Sequence, residues 1–96
     1  MPALMRAQKV GKKAVCFDFE NTDAVISKIY EETEEVKNAI EAENHAQTEE
    51  EIGDLLLTVT SLARKAGVDS EEALYKATNK FISRFERLEK EVSKSG

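Results

Sequence analysis

Glu31-Glu32-Thr33-Glu34-Glu35, answered by Glu51-Ile52-Gly53-Asp54, is the pattern on which the rest of the chain turns. Each half places acids at i and i+3 in a segment that reads as helix. That spacing stacks two carboxylates on one face, one turn apart. Two such pairs facing each other make a four-carboxylate cluster. Two readings stand at this level: an ordinary solvated acidic face, or an oxygen-ligand site for a hard divalent cation.

Outward from the acids the periodicity is helical. Val25, Ile26, Ile29, Tyr30, Val36 and Ile40 form an apolar stripe over about residues 23–43, with Asn21 or Thr22 as the cap and Asp23 in the first turn. Glu32 and Glu35 fall on one flank of that stripe, and Glu31 lies just beyond Glu35. Glu34 and Glu41 point elsewhere and read as solvent residues. Residues 44–48 read as the turn, with the lone His45 at the surface. A third helix follows over about 49–66, with Ile52, Leu55, Leu56, Val59, Leu62, Ala63 and Ala66 as its apolar face. Glu51 and Asp54 sit together on one flank of it. Thr48-Glu49-Glu50-Glu51 also fits a capping box, which competes for the Glu51 carboxylate. Packed antiparallel across their stripes, the two helices bring the four carboxylates together. Left unpaired near a core, such a cluster raises its own pKa values and destabilises the fold, and a cation is the simplest remedy.

The flanks complete a four-helix pattern. Residues 1–15 read as a short basic amphipathic helix weakened by Gly11, and Cys16-Phe17-Asp18-Phe19 as a loop whose rings serve either core packing or base stacking. Gly67 marks a helix end, and Asp69 caps a last helix with Glu72 as its box partner. There Leu74, Ala77, Phe81, Phe85, Leu88 and Val92 give a heptad-like stripe to about residue 92. Lys80 and Arg84 are i, i+4 cations beside that stripe, and Asn79 precedes them.

Composition narrows the functions. The chain has 96 residues, enough for one small domain at the low end for building a core alone, so association with a second copy is expected. Its net charge of −5 argues against a nucleic-acid surface built on phosphate neutralisation. One cysteine and one histidine exclude an intrachain disulfide and a four-ligand Cys/His zinc site. No apolar run approaches membrane-spanning length and no leader pattern opens the chain, which fits the cytosol. There is no Gly-rich phosphate loop and little material for a Ser-His-Asp or Cys-His mechanism. What the chain does supply is acids, a basic pair and aromatics on a helical frame. That supply points at metal-assisted phosphoanhydride hydrolysis, although on these residues alone the solvated acidic face stands ahead of the metal site.

Glu31-Glu32-x-x-Glu35 followed by Glu51-x-x-Asp54 resembles the signature of the MazG-type all-α nucleoside triphosphate pyrophosphohydrolases. Pro2-Ala3-Leu4-Met5-Arg6-Ala7, Glu50-Glu51-Ile52-Gly53-Asp54-Leu55-Leu56, Leu62-Ala63-Arg64 and Asn79-Lys80-Phe81-x-x-Arg84-Phe85 extend the resemblance to nearly the whole chain. They are similar to the C-terminal MazG domain of two-domain bacterial proteins. The resemblance implies an all-α bundle of about four helices, a single domain over 1–96, pairing into a larger bundle as a homodimer or higher oligomer. It implies hydrolysis of (deoxy)nucleoside triphosphates to nucleoside monophosphate and pyrophosphate with magnesium, or manganese in its place. Glu32, Glu35, Glu51 and Asp54 become metal ligands, and Glu31 an outer ligand or water-orienting base. Lys80 and Arg84 become phosphate contacts, with Asn79 beside them and Phe19 where those proteins carry a base-pocket Trp. Ser61 stands where they often have Asn. Both departures bear on nucleotide preference. The alternatives are a non-catalytic dimerisation or regulatory domain, or a pyrophosphohydrolase of the phosphoribosyl-ATP type.

Overall fold

The computed structural model describes residues 1–13 and 19–95, and every regular element among them is helical: α1 (Ala3–Lys13), α2 (Thr22–Glu41), α3 (His45–Lys65) and α4 (Ser70–Ser95). The all-α expectation holds. Asn21 is the cap of α2, its side-chain oxygen accepting from Ala24 N at 2.9 Å.

The α2–α3 turn corrects the expected boundary. Asn44 caps α3, taking the Gln47 N–H at 3.0 Å, so the helix starts four residues before Glu49. Thr48 lies inside α3 and its hydroxyl donates to the Asn44 carbonyl at 2.8 Å. The expected Thr48–Glu51 capping box does not form, because an earlier Asx cap has already satisfied the free N–H groups. Glu51 is thereby released from the competing role. His45 is exposed, as read.

Both connections leave their helix by the same device. Asn44 N donates to Ala39 O and Glu43 N to Ile40 O, with Glu43 in the left-handed region at φ 55°. Val68 N donates to Ala63 O and Gly67 N to Arg64 O, with Gly67 at φ 73°. These are paired Schellman closures. Only the second carries the glycine that makes such a turn visible in a sequence. Asp69 caps α4 through the N–H groups of Glu71 and Glu72, while the Glu72 carboxylate pairs with Lys76 at 3.1 Å instead of reaching back to the cap.

The helices α2 and α3 pack as an antiparallel hairpin, and α1 lies along α3 with Gly11 buried beside Ser61. The hairpin seam on α2 runs through Val25, Ile29, Glu32, Val36 and Ala39, all buried or half-buried. Its steps of four and three are those of a coiled-coil seam. On α3 the same steps run through Glu51, Leu55, Thr58 and Leu62. The stripes read from sequence are thus used along one edge only. Ile26, Tyr30 and Ile40 of α2 and Ile52, Leu56 and Val59 of α3 remain exposed.

The seam is rich in hydroxyls that turn back on their own helix. Thr58 donates to Asp54 O at 3.0 Å and Thr60 to Leu57 O at 2.7 Å, so neither is buried without a partner. A polar clamp ties α1 to α4. Gln8 Nε2 donates to Val68 O at 2.9 Å, while its Oε1 accepts from Ser70 N at 2.8 Å and from the Ser70 hydroxyl at 2.6 Å.

Beyond that clamp α4 projects, and its Phe81, Phe85, Leu88 and Val92 are exposed. The Cα radius of gyration is 17.1 Å, against about 12 Å for a compact domain of this length. Gln8→Ala should leave the Ser70 N–H and hydroxyl without their acceptor and cost about 2 kcal/mol of unfolding free energy. Urea denaturation at matched protein concentration checks this.

Candidate metal centre

The hairpin turn sets the register of the acids. Asn44 N is bonded to Ala39 O across the turn. Seven residues back from Ala39 is Glu32, and seven on from Asn44 is Glu51. Equal steps of two turns, about 10 Å along each axis, put the two carboxylates opposite one another. Glu35 sits one turn nearer the hairpin end on the same side of α2. Oxygens of Glu32, Glu35 and Glu51 all lie within 4.8 Å of one another. Glu32 is buried, with 6% of its surface exposed. Glu51 is half-buried and Glu35 is exposed.

The electrostatics show which charges are compensated. Lys28 Nζ lies 3.6 Å from Glu32 Oε1 and 3.6 Å from Glu31 Oε2. Partial desolvation lowers the Lys28 pKa, and the pull of Glu32, Glu31 and Glu35 outweighs it, so the ammonium titrates above its usual 10.5. The Glu35 carboxyl is pushed above 4.5, first by a proton it can share with Glu51 and by the Glu51 charge, then by desolvation and by Glu32. Glu51 Oε1 accepts from Gln47 Nε2. Glu51 Oε2 is buried and has no donor. A proton on Glu35 would supply a donor between the two carboxylates.

These residues fit a hard cation. The donors are all carboxylate oxygens, they lie close enough to share one ion, and a buried oxygen among them lacks a partner. Asp54 is exposed and is not among the three that gather; it lies one turn further along α3, where its backbone carbonyl holds Thr58. Glu31 is exposed and pairs with Lys28. Glu34, Glu41, Glu49 and Glu50 are exposed and outside the gathered trio.

The single chain does not gather the α4 residues with the acids. Asn79, Lys80 and Arg84 are fully on the exposed part of α4, which rests on α1 and the end of α3 and shares no comparable seam with α2. The cation that acts on Glu35 is Lys28. Phe19 is half-buried just ahead of the α2 cap, whereas Cys16, Phe17 and Asp18 lie outside the described residues. Ser61 is buried against α1 and its hydroxyl turns back to Leu57 O, so it lines the α1–α3 seam.

Sequence reasoning missed Lys28 and Gln47. The signal for Lys28 was present: a lysine four residues before Glu32 is an i, i+4 partner on the same helix face.

A small helical bundle whose hairpin gathers carboxylates along one seam defines an all-α domain with a site suited to a hard divalent ion. Residues 20–88 match the family model of the MazG nucleotide pyrophosphohydrolase domain. Over 98 aligned positions the chain is 42% identical to the nucleoside triphosphate pyrophosphohydrolase/pyrophosphatase MazG of Thermotoga maritima, covering 100% of this chain and 37% of that protein. Over 102 positions it is 45% identical to the nucleoside triphosphate pyrophosphohydrolase of Escherichia coli K12, covering 100% of this chain and 38% of that one. The chain therefore belongs to the MazG nucleotide pyrophosphohydrolase domain family, as its acidic signature led us to expect, and it spans little more than a third of these relatives' length.

The raised Glu35 pKa has a definite sign in stability. A folded-state pKa above the unfolded 4.5 gives stability that is fully present below 4.5 and is lost as pH rises through the folded value. At pH 7 without divalent ions the ionised carboxylate works against the fold. Glu35→Gln should therefore raise the melting temperature in chelator at pH 7, and the gain should shrink as pH falls toward 4.5. Thermal unfolding of both proteins across that range is the measurement.

Proposed function

We propose that this domain hydrolyses (deoxy)nucleoside triphosphates between the α and β phosphates, water entering and nucleoside monophosphate and pyrophosphate leaving, with magnesium at the α2–α3 hairpin. The observation that carries this reading is the gathering of Glu32, Glu35 and Glu51 around a buried oxygen with no donor. The names of the relatives support the reaction class. Magnesium or manganese bound there would supply positive charge for a polyphosphate and lower the pKa of a water. Glu32, Glu35 and Glu51 would hold the ion, with Asp54 as the fourth carboxylate. Glu31 orients or deprotonates the attacking water. Lys80 and Arg84 neutralise non-bridging phosphate oxygens, with Asn79 beside them, and Phe19 stacks on the base.

The working assembly in this reading is a homodimer. The exposed apolar residues of α2, α3 and α4, together with the radius of gyration of 17.1 Å, support a second copy as their cover. The separation of Lys80 and Arg84 from the acids within one protomer favours a second reading, a domain that binds nucleotide or metal without turnover.

A panel of (d)NTPs and phosphoribosyl-ATP with magnesium, with product identification, separates these readings. Pyrophosphate release from (d)NTPs is expected, and binding without any product selects the non-catalytic domain. Asp54→Asn should lower kcat by about 10²–10³-fold, the range for losing one fixed electrostatic partner of a transition state. Full activity of that variant would remove Asp54 from the ligand set. Sedimentation should give twice the chain mass of 10.7 kDa, and Phe81→Asp with Phe85→Asp should shift the protein toward the monomer.

A further inference from the structure

We propose that Lys28 is the built-in counterion of the metal-free site, and that a divalent ion binds by displacing its ammonium from Glu32. This rests on the reading of the carboxylate cluster as a metal site.

Two observations carry it. First, Lys28 Nζ stands at 3.6 Å from both Glu31 and Glu32, and the Glu32 side chain is only 9% exposed. A buried carboxylate has few other ways to be compensated, so this pair does more than a solvated surface contact. Second, the same ammonium acts on Glu35, so one cation serves two members of the cluster.

An ammonium at ion-pair distance from Glu32 and a divalent ion on the same carboxylate repel each other at close range. Loading the ion therefore moves the Lys28 head group out while its stem stays along α2. Lys28 keeps the acids folded together without metal and sets a threshold that the metal must exceed.

The test is a calorimetric titration of the full chain with magnesium or manganese alone. Lys28→Met removes the charge and keeps most of the stem. Its dissociation constant should be about 3–10-fold lower than that of the parent, the scale of one partly buried charge pair. Lys28→Arg should stay within about twofold of the parent because the charge is retained. Equal or weaker metal binding by Lys28→Met overturns the proposal. A parent chain that takes up no divalent ion overturns the metal-site reading itself, so the two failures are told apart. A second measurement does not depend on a variant folding. The side-chain Cε and Nζ resonances of Lys28 in the parent should shift as metal saturates the site, and resonances that stay put overturn the displacement.

Discussion

An ionised carboxylate in the seam between two helices loses its water and gains nothing from apolar neighbours, so it persists only where another charge or donor compensates it. Glu32 occupies such a position, the middle of the Val25–Ile29–Glu32–Val36–Ala39 seam. Glu51 holds the equivalent place on α3. Two apolar residues there would close the hairpin more tightly. The acids instead place charge in the seam at one point, where Lys28 pairs with Glu32. Thr58, Thr60 and Ser61 fill the buried positions further along with small side chains whose hydroxyls bond to their own helix. Val25 and Ala39 are the fully apolar members of the buried set among the described residues. The chain thus gives up apolar burial in the very place where its acids gather.

That choice explains the open surface. A chain that spends seam positions on acids and hydroxyls must bury its large apolar groups elsewhere. In the single chain several are not buried: Tyr30 is 74% and Phe81 70% exposed. Helix α4 is about 39 Å long at 26 residues. It is anchored at its start, through Gln8, Ser70 and the Asp69 cap. The Phe81 and Phe85 rings stack on each other at 6.5 Å, which shields little of either from water. A second copy is the partner our functional reading assigns to this surface, because the same chain carries the apolar faces at both ends of the contact.

The sequence disclosed the helices more clearly than their packing. Periodicity, the Asn21 and Asp69 caps and the Gly67 turn are local chemistry, and they fix α2, the end of α3 and the start of α4. The α2–α3 turn was harder to see because Glu43, not glycine, takes the left-handed conformation. It was also obscured by a second plausible cap at Thr48, four residues after the Asn44 that is used. The seam was misplaced for a related reason. A stripe drawn through apolar residues alone runs through Ile26, Tyr30 and Ile40, and it cannot include Glu32. Only the turn register, Ala39 against Asn44, shows that a glutamate stands in the seam. The trio Glu32, Glu35 and Glu51 was therefore legible as residue types and spacing, whereas the burial of Glu32 and the presence of Lys28 depended on how two helices meet.

The distribution of charge also orders the events that the proposed chemistry requires. The acids sit on the hairpin, and Lys80 and Arg84 sit on a helix that does not reach them within one protomer. A bare triphosphate approaching Glu31, Glu32, Glu35 and Glu51 meets like charge on a chain whose net charge is already −5. Lys28 offsets part of that field but is itself held by two of the acids. Recognition of a polyphosphate at this place thus needs positive charge brought in from outside the hairpin. In the proposed reading a divalent ion would supply it at the carboxylates and the α4 cations at the phosphates, so that the acidic hairpin would receive cations first and phosphates only through them.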